Sequence, residues 1–160
     1  MRTIKAQKLT AEAFSKYGEF YNLVEPEGNA LGAFYNDKVA LPVSGRVPVT
    51  FSSLVTEKAD KMIINSAEYH NYTGEGILPL DGDVVIHAAP PTKDPVPQLT
   101  EAFVVPKGTV VKLNTGVWHL APMPVEEDVV HVLIVLPERV YANDCFVVDY
   151  PEEDWIEIEL

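Results

Sequence analysis

A single cysteine, Cys145, stands among the 160 residues. With no second thiol no internal disulfide can form, and a reducing compartment, the cytoplasm, is the expected setting. Basic residues are scarce: 12 Lys and Arg stand against 24 Asp and Glu, for a formal net charge of −12. Phosphate backbones need a basic surface, so nucleic acid is not an expected partner. No apolar run approaches the roughly 18 residues that span a bilayer, and no membrane segment is expected. The opening MRTIKAQKLT has no apolar core and does not read as a signal peptide. No internal repeat or low-complexity segment is present. A chain of this length buries roughly 70% of its unfolded surface and needs no covalent staples. Residues 1–160 therefore read as a single domain.

What is present is mostly β-forming. Short runs rich in Val, Ile, Phe and Tyr are broken by Gly, Pro, Asn and Asp: YNLV, LGAFY, VPVTFSSLV, KMIIN, GILPL, DVVIHAA, EAFVV, TVVKL, VVHVLIVL, CFVVDY and WIEIEL. Their even spacing predicts a barrel or sandwich rather than alternating β–α units. One short helix is expected over LTAEAFSKYGEF, residues Leu9 to Phe20, with Thr10 as its cap and Gly18 at its end. The proline-rich stretch from Pro90 to Pro97 reads as a surface loop. The final WIEIEL alternates cleanly, as an edge strand does.

The chemistry centres on Glu68 to Asp83, EYHNYTGEGILPLDGD. If Met62 to His70 is one strand, Glu68 and His70 share a face with Met62 and Ile64. A carboxylate and an imidazole on an apolar face are costly unless they bind something. The Thr73-Gly74-Glu75-Gly76 segment is flexible enough to fold Glu75 back toward them. This stretch reads as one wall of a polar pocket inside a β-structure.

His70, Glu75 and Gly82 form one spaced element, and Pro106-Lys107-Gly108-Thr109 with Gly116-Val117-Trp118-His119 forms a second. Together they resemble the two motifs of cupins, small β-barrels in which histidines and a carboxylate hold a metal ion. The resemblance implies a mainly β fold, a cupin-like double-stranded β-helix (jelly-roll barrel) with a short N-terminal helix. Glu68 stands where cupins usually place their first histidine, and Val111 stands at the commonest place of the last. The resemblance sharpens to the ureidoglycolate lyases, which cleave ureidoglycolate to glyoxylate and urea in the recovery of purine nitrogen from allantoin. It is carried by LTAEAFSKYGEF, Glu68-Tyr69-His70, Leu78-Pro79-Leu80-Asp81-Gly82, Gly116-Val117-Trp118-His119 and Asn143-Asp144-Cys145. The chain departs from that family at Phe51-Ser52-Ser53-Leu54, where a basic residue is expected, and at Asn114, where a histidine is.

Cleavage of a carbinol C–N bond needs a base for the hydroxyl proton and an acid for the departing nitrogen. His70 and His119, with Glu75, are the candidate catalytic groups, because imidazole titrates near neutral pH. Alternatively Glu68, His70, Glu75 and His119 hold one divalent metal ion that binds and acidifies the substrate. That donor set suits Mn, Fe, Ni or Zn alike. Lys112, Asn114 and Trp118 are the candidate substrate contacts, with surface and packing roles as their bland alternatives. His87 and His131 read as structural, and Cys145 as a small buried residue. The expected partner is a small-molecule substrate, and the resemblance implies a homodimer. The rival reading is a barrel of the same fold that binds or isomerises another small acid or sugar, without lyase activity.

Overall fold

The computed structural model describes residues 1–43 and 45–160. Apolar residues at period two dominate it, and strands follow from that pattern. In chain order they are β1 (Arg2–Lys8), β2 (Gly18–Asn22), β3 (Val49–Glu57), β4 (Met62–Ile64), β5 (Ser66–Tyr69), β6 (Glu75–Pro79) and β7 (Val84–Ala88). Then come β8 (Glu101–Val105), β9 (Thr109–Leu113), β10 (Met123–Pro124), β11 (Val129–Pro137), β12 (Phe146–Asp149) and β13 (Ile156–Glu159). Two four-residue helices, α1 (Ala11–Phe14) and α2 (Val140–Asn143), complete the regular structure apart from two 3₁₀ turns.

The strands form a six-stranded sheet, β10-β7-β8-β1-β13-β4, and a five-stranded sheet, β2-β9-β6-β11-β3, with β5 and β12 as a separate pair. Many successive strands cross between the sheets, though β2 and β3 share one sheet and β7 and β8 pair in the other, and most pairings are antiparallel, as in a jelly roll. The mainly β barrel expected from the sequence, with a short helix near its N-terminus, is the fold found. One apolar cluster fills the space between the sheets: Ile77, Val111, Leu113, Val132 and Ile134 from one side, Val84, Ile86, Phe103 and Val105 from the other. Burying each such side chain contributes about 1.5–3 kcal/mol. A second cluster, with Val85, Ala102, Trp118, Ile156 and Ile158, lies on the opposite face of β7 and β8.

Several expectations need correction. The N-terminal helix is one turn, not twelve residues. Thr10 caps it as expected, its Oγ1 accepting from the Ala13 N–H at 3.3 Å. Gly18 does not end it but opens β2, where it pairs with Leu113. A Cβ at Gly18 would lie 1.8 Å from the Lys112 carbonyl oxygen, so only glycine lets β2 dock on β9. The LGAFY run carries a single bridge, Leu31 with Phe34, and no strand. The final strand is not an edge: β13 lies between β1, parallel to it, and β4. β1 has no counterpart among the sequence-read strands.

Helix α1 is tied to the barrel at Glu101 on β8. That carboxylate accepts from the Tyr17 hydroxyl, from Gln7 Nε2 at 3.1 Å and from the Lys16 ammonium. The rings of Phe14 and Tyr17 pack on Phe103, with centroids 5.2 and 5.8 Å away.

Candidate metal centre

The expected strand from Met62 to His70 is broken at Asn65, whose carbonyl accepts from the Tyr150 N–H at 2.8 Å. The break shifts the alternation: Ile64 and Ala67, three apart, both join the outer cluster. Glu68 and His70 therefore share a face with each other but not with Ile64. They point into the barrel, toward the residues that follow Gly116. Two reciprocal backbone bonds between Glu68 and His119 (2.7 and 2.9 Å) and one from the Gly116 N–H to the His70 carbonyl (2.8 Å) align these segments. Glu75, the first residue of β6, shares the inward face with Ile77. Gly74 makes that position reachable, since a Cβ there would lie 2.3 Å from the Leu113 carbonyl oxygen.

Glu68, His70, Glu75 and His119 are thus brought together. One donor atom from each lies within 4.8 Å of all the others. Glu75 Oε2 sits 3.0 Å from His70 Nε2 and 2.8 Å from His119 Nε2. Both imidazoles and Glu75 are buried, and Glu68 is half-buried. The Nδ1 atoms face backbone carbonyls, His70 that of Asp144 at 2.7 Å and His119 that of Val117 at 2.8 Å. A carbonyl only accepts, so each Nδ1 carries its hydrogen there. In a neutral ring each Nε2 lone pair then faces the Glu75 carboxylate, acceptor against acceptor, and a cation must lie between. Either a proton on Nε2 or a metal ion meets that need. Two imidazole nitrogens and two carboxylates, with both rings oriented by outer hydrogen bonds, fit a divalent transition metal.

The electrostatics carry the same message. Burial disfavours the Glu75 carboxylate, but the His119 charge and both imidazole hydrogen bonds outweigh it and hold its pKa at about 2. Burial likewise opposes imidazolium at His70 and His119. At His70 the Glu75 hydrogen bond and the Asp144 carbonyl prevail, at His119 the Glu75 charge and hydrogen bond, and both values are raised.

The three candidate substrate contacts lie elsewhere. Lys112 pairs with Gly76, and both face away from Glu75 and Leu113. Its ammonium donates to Asn114 Oδ1 at 2.8 Å, beside an outer cavity of about 270 Å³ lined by Tyr35, Lys38 and Val135. Trp118 points opposite to His119, into the outer cluster, where its ring meets Tyr69 at 4.5 Å and its Nε1–H donates to the Thr92 carbonyl. His131 is exposed and bonded to Asp81 at 2.6 Å. His87 is buried with Nε2 unpartnered, and burial followed by the His119 charge pushes its pKa down to about 3.

One contact was not anticipated. The Cys145 thiol donates to Glu68 Oε2 at 3.1 Å. Burial and the bonded Glu68 push its pKa up to about 12, so it remains a thiol.

The sequence pattern of the family described as ureidoglycolate lyase matches residues 1–157. The chain belongs to the ureidoglycolate lyase family. Among its relatives is the ureidoglycolate lyase of Pseudomonas paraeruginosa, 29% identical, covering 79% of each chain. Another is the ureidoglycolate lyase of Pseudomonas aeruginosa, 28% identical with the same coverage. A solved chain of Bacillus subtilis oxalate decarboxylase, from a study of its Mn(II) centres, superposes with a TM-score of 0.45 at 14% identity. That likeness covers 63% of this chain and 23% of the other.

Proposed function

We propose that this member of the ureidoglycolate lyase family cleaves ureidoglycolate to glyoxylate and urea, using the centre formed by Glu68, His70, Glu75 and His119. The observation that carries the reading is the convergence of these four donor atoms inside the barrel of a family member. No water is consumed: the hydroxyl proton leaves as the carbonyl forms, the C–N bond breaks, and a proton reaches the urea nitrogen. The ligand role is assigned to all four residues. These residues would hold a divalent ion, which when bound would supply Lewis acidity at the carbinol and offset the charge between an anionic substrate and an acidic protein. His70 and His119 hold their Nε2 atoms toward the centre because their Nδ1–H groups are fixed on backbone carbonyls. Glu75 binds between them and excludes water from its own carboxylate by burial. Lys112, Asn114 and Trp118 fall outside this assignment, because their side chains are directed to the outer face.

A second reading is favoured by the raised imidazole values. One lone pair cannot hold an ion and a proton together, and without metal the Glu75 carboxylate favours the protonated form of both rings. One of His70 and His119 then protonates the leaving nitrogen and the other takes the hydroxyl proton, with Glu75 between them. Metal analysis separates the two. Stoichiometric divalent metal in purified protein, lost in Glu75→Ala and in His119→Ala, supports the first reading. Activity that survives complete removal of metal supports the second.

The same proposal takes residues 1–160 as one cytoplasmic domain, in keeping with the lone thiol. Among the described residues no helix is long and apolar enough to cross a membrane. A homodimer is proposed through the outer face of β3 and β11, where Phe51 and Val55 are exposed and pair with Val135 and His131.

A further inference from the structure

Asp144 and Cys145 follow helix α2 and meet the metal centre at two of its four ligands. The Asp144 carbonyl accepts from His70 Nδ1–H at 2.7 Å. The Asp144 carboxylate accepts from the N–H groups of Asn71 (2.7 Å) and Tyr72 (2.8 Å), which holds the turn leaving His70. One residue on, the Cys145 thiol donates to Glu68 Oε2 at 3.1 Å. From there β12 runs antiparallel along β5, with Val147 opposite Glu68. Asp144 is buried, and its side chain and carbonyl both act on the His70 segment. The thiol is a donor and the carboxylate an acceptor, so the direction of that bond is fixed by chemistry.

We propose that Asp144 and Cys145 form a clamp of positioning residues, which sets the tautomer and aim of His70 and the rotamer of Glu68 for metal binding. Neither residue touches the ion. The clamp acts through the ligands, as outer hydrogen bonds to metal-binding histidines and carboxylates do, and loss of such a bond typically weakens metal binding about 10–100-fold. It also couples the α2 segment to the centre, since the Asp144 N–H donates to the Val140 carbonyl at 2.7 Å. This inference rests on the metal reading above.

The test is calorimetric titration of the full, metal-stripped chain with manganese(II) or zinc(II) chloride. Wild type is expected to take up one ion. Cys145→Ala should bind about 10–100-fold more weakly, and Cys145→Ser, which keeps a donor, within about threefold of wild type. Asp144→Asn should also weaken binding, because an amide nitrogen cannot accept the second backbone N–H. The melting temperatures of metal-free Cys145→Ala and Cys145→Ser should match, which separates aim from general stability. If Cys145→Ala and Asp144→Asn bind like wild type while Glu75→Ala binds nothing, the centre stands and the clamp is overturned. Equal weakening of Cys145→Ala and Cys145→Ser also overturns it. No uptake by wild type refutes the metal reading itself, and the clamp with it. Should Cys145→Ala fail to fold, wild-type alkylation by iodoacetamide decides: the thiol should react several-fold more slowly with metal bound, and equal rates overturn the proposal.

Discussion

Replacing Glu75 by glutamine keeps its volume and removes the charge that two imidazoles face. In the metal-free protein its carboxyl is drawn from 4.5 to about 2. At 1.36 kcal/mol for each tenfold change in proton affinity, that preference corresponds to about 3 kcal/mol of stability. Glutamine recovers part of it, since its amide can donate to one neutral Nε2, and a net loss of about 2–3 kcal/mol is expected. The sign depends on pH in both directions. A lowered carboxyl contributes stability above its unfolded value and loses it as pH falls from about 4.5 toward 2. Raised imidazoles contribute below 6.5 and lose their share as pH rises through their folded values. The stability gap between wild type and Glu75→Gln should therefore be widest between about 4.5 and 6.5 and close on either side. Urea denaturation in EDTA, repeated from pH 4 to pH 9, measures it. Adding divalent metal at about 100 times its dissociation constant should reopen the gap at pH 8 by about 2.7 kcal/mol, because only wild type binds. A variant as stable as wild type at pH 6, or a gap independent of pH, would refute the paired-charge account of this cluster.

Other consequences are simpler to read. Gly74→Ala places a Cβ against the Leu113 carbonyl, 2.3 Å away, and should displace Glu75, lowering metal uptake at least tenfold in the same titration. Glu101→Gln removes the anchor of α1 and should cost about 1–2 kcal/mol at pH 7. Burial opposes the Glu101 charge, but its bonds from Lys16, Tyr17 and Gln7 prevail and lower its pKa. That stabilisation is present above the ordinary carboxylate value and fades as pH falls through the lowered one, so the two proteins should converge in acid unfolding curves. Lys112→Met should leave glyoxylate release within about twofold of wild type, because the ammonium lies on the outer face. A much larger loss would mean that the substrate reaches that face.

The inward set was legible because strand alternation is a short-range rule. Glu68 and His70, two apart, had to share a face, and Gly74 left Glu75 free to follow. The same rule, carried further, separates Trp118 from His119 and Lys112 from Val111 and Leu113. Lys112 does lie on the face of Val110, but register puts that face outside the barrel. Asn65 shows the limit of the rule, since one irregular residue reverses the phase of everything before it. β1 escaped notice because RTIKAQK is rich in charge and offers only Ile4 and Ala6 to the core side. β13 looked like an edge because its glutamates alternate outward, while its backbone pairs on both sides. The Cys145 contact joins residues 77 positions apart, and no local pattern announces it.

The most direct test of the account is glyoxylate release from ureidoglycolate by purified protein, measured against spontaneous decay. The account predicts turnover far above that background, abolished in His70→Ala and in His119→Ala and unchanged in Lys112→Met. No turnover in metal-loaded wild type, or full turnover in His119→Ala, would contradict it.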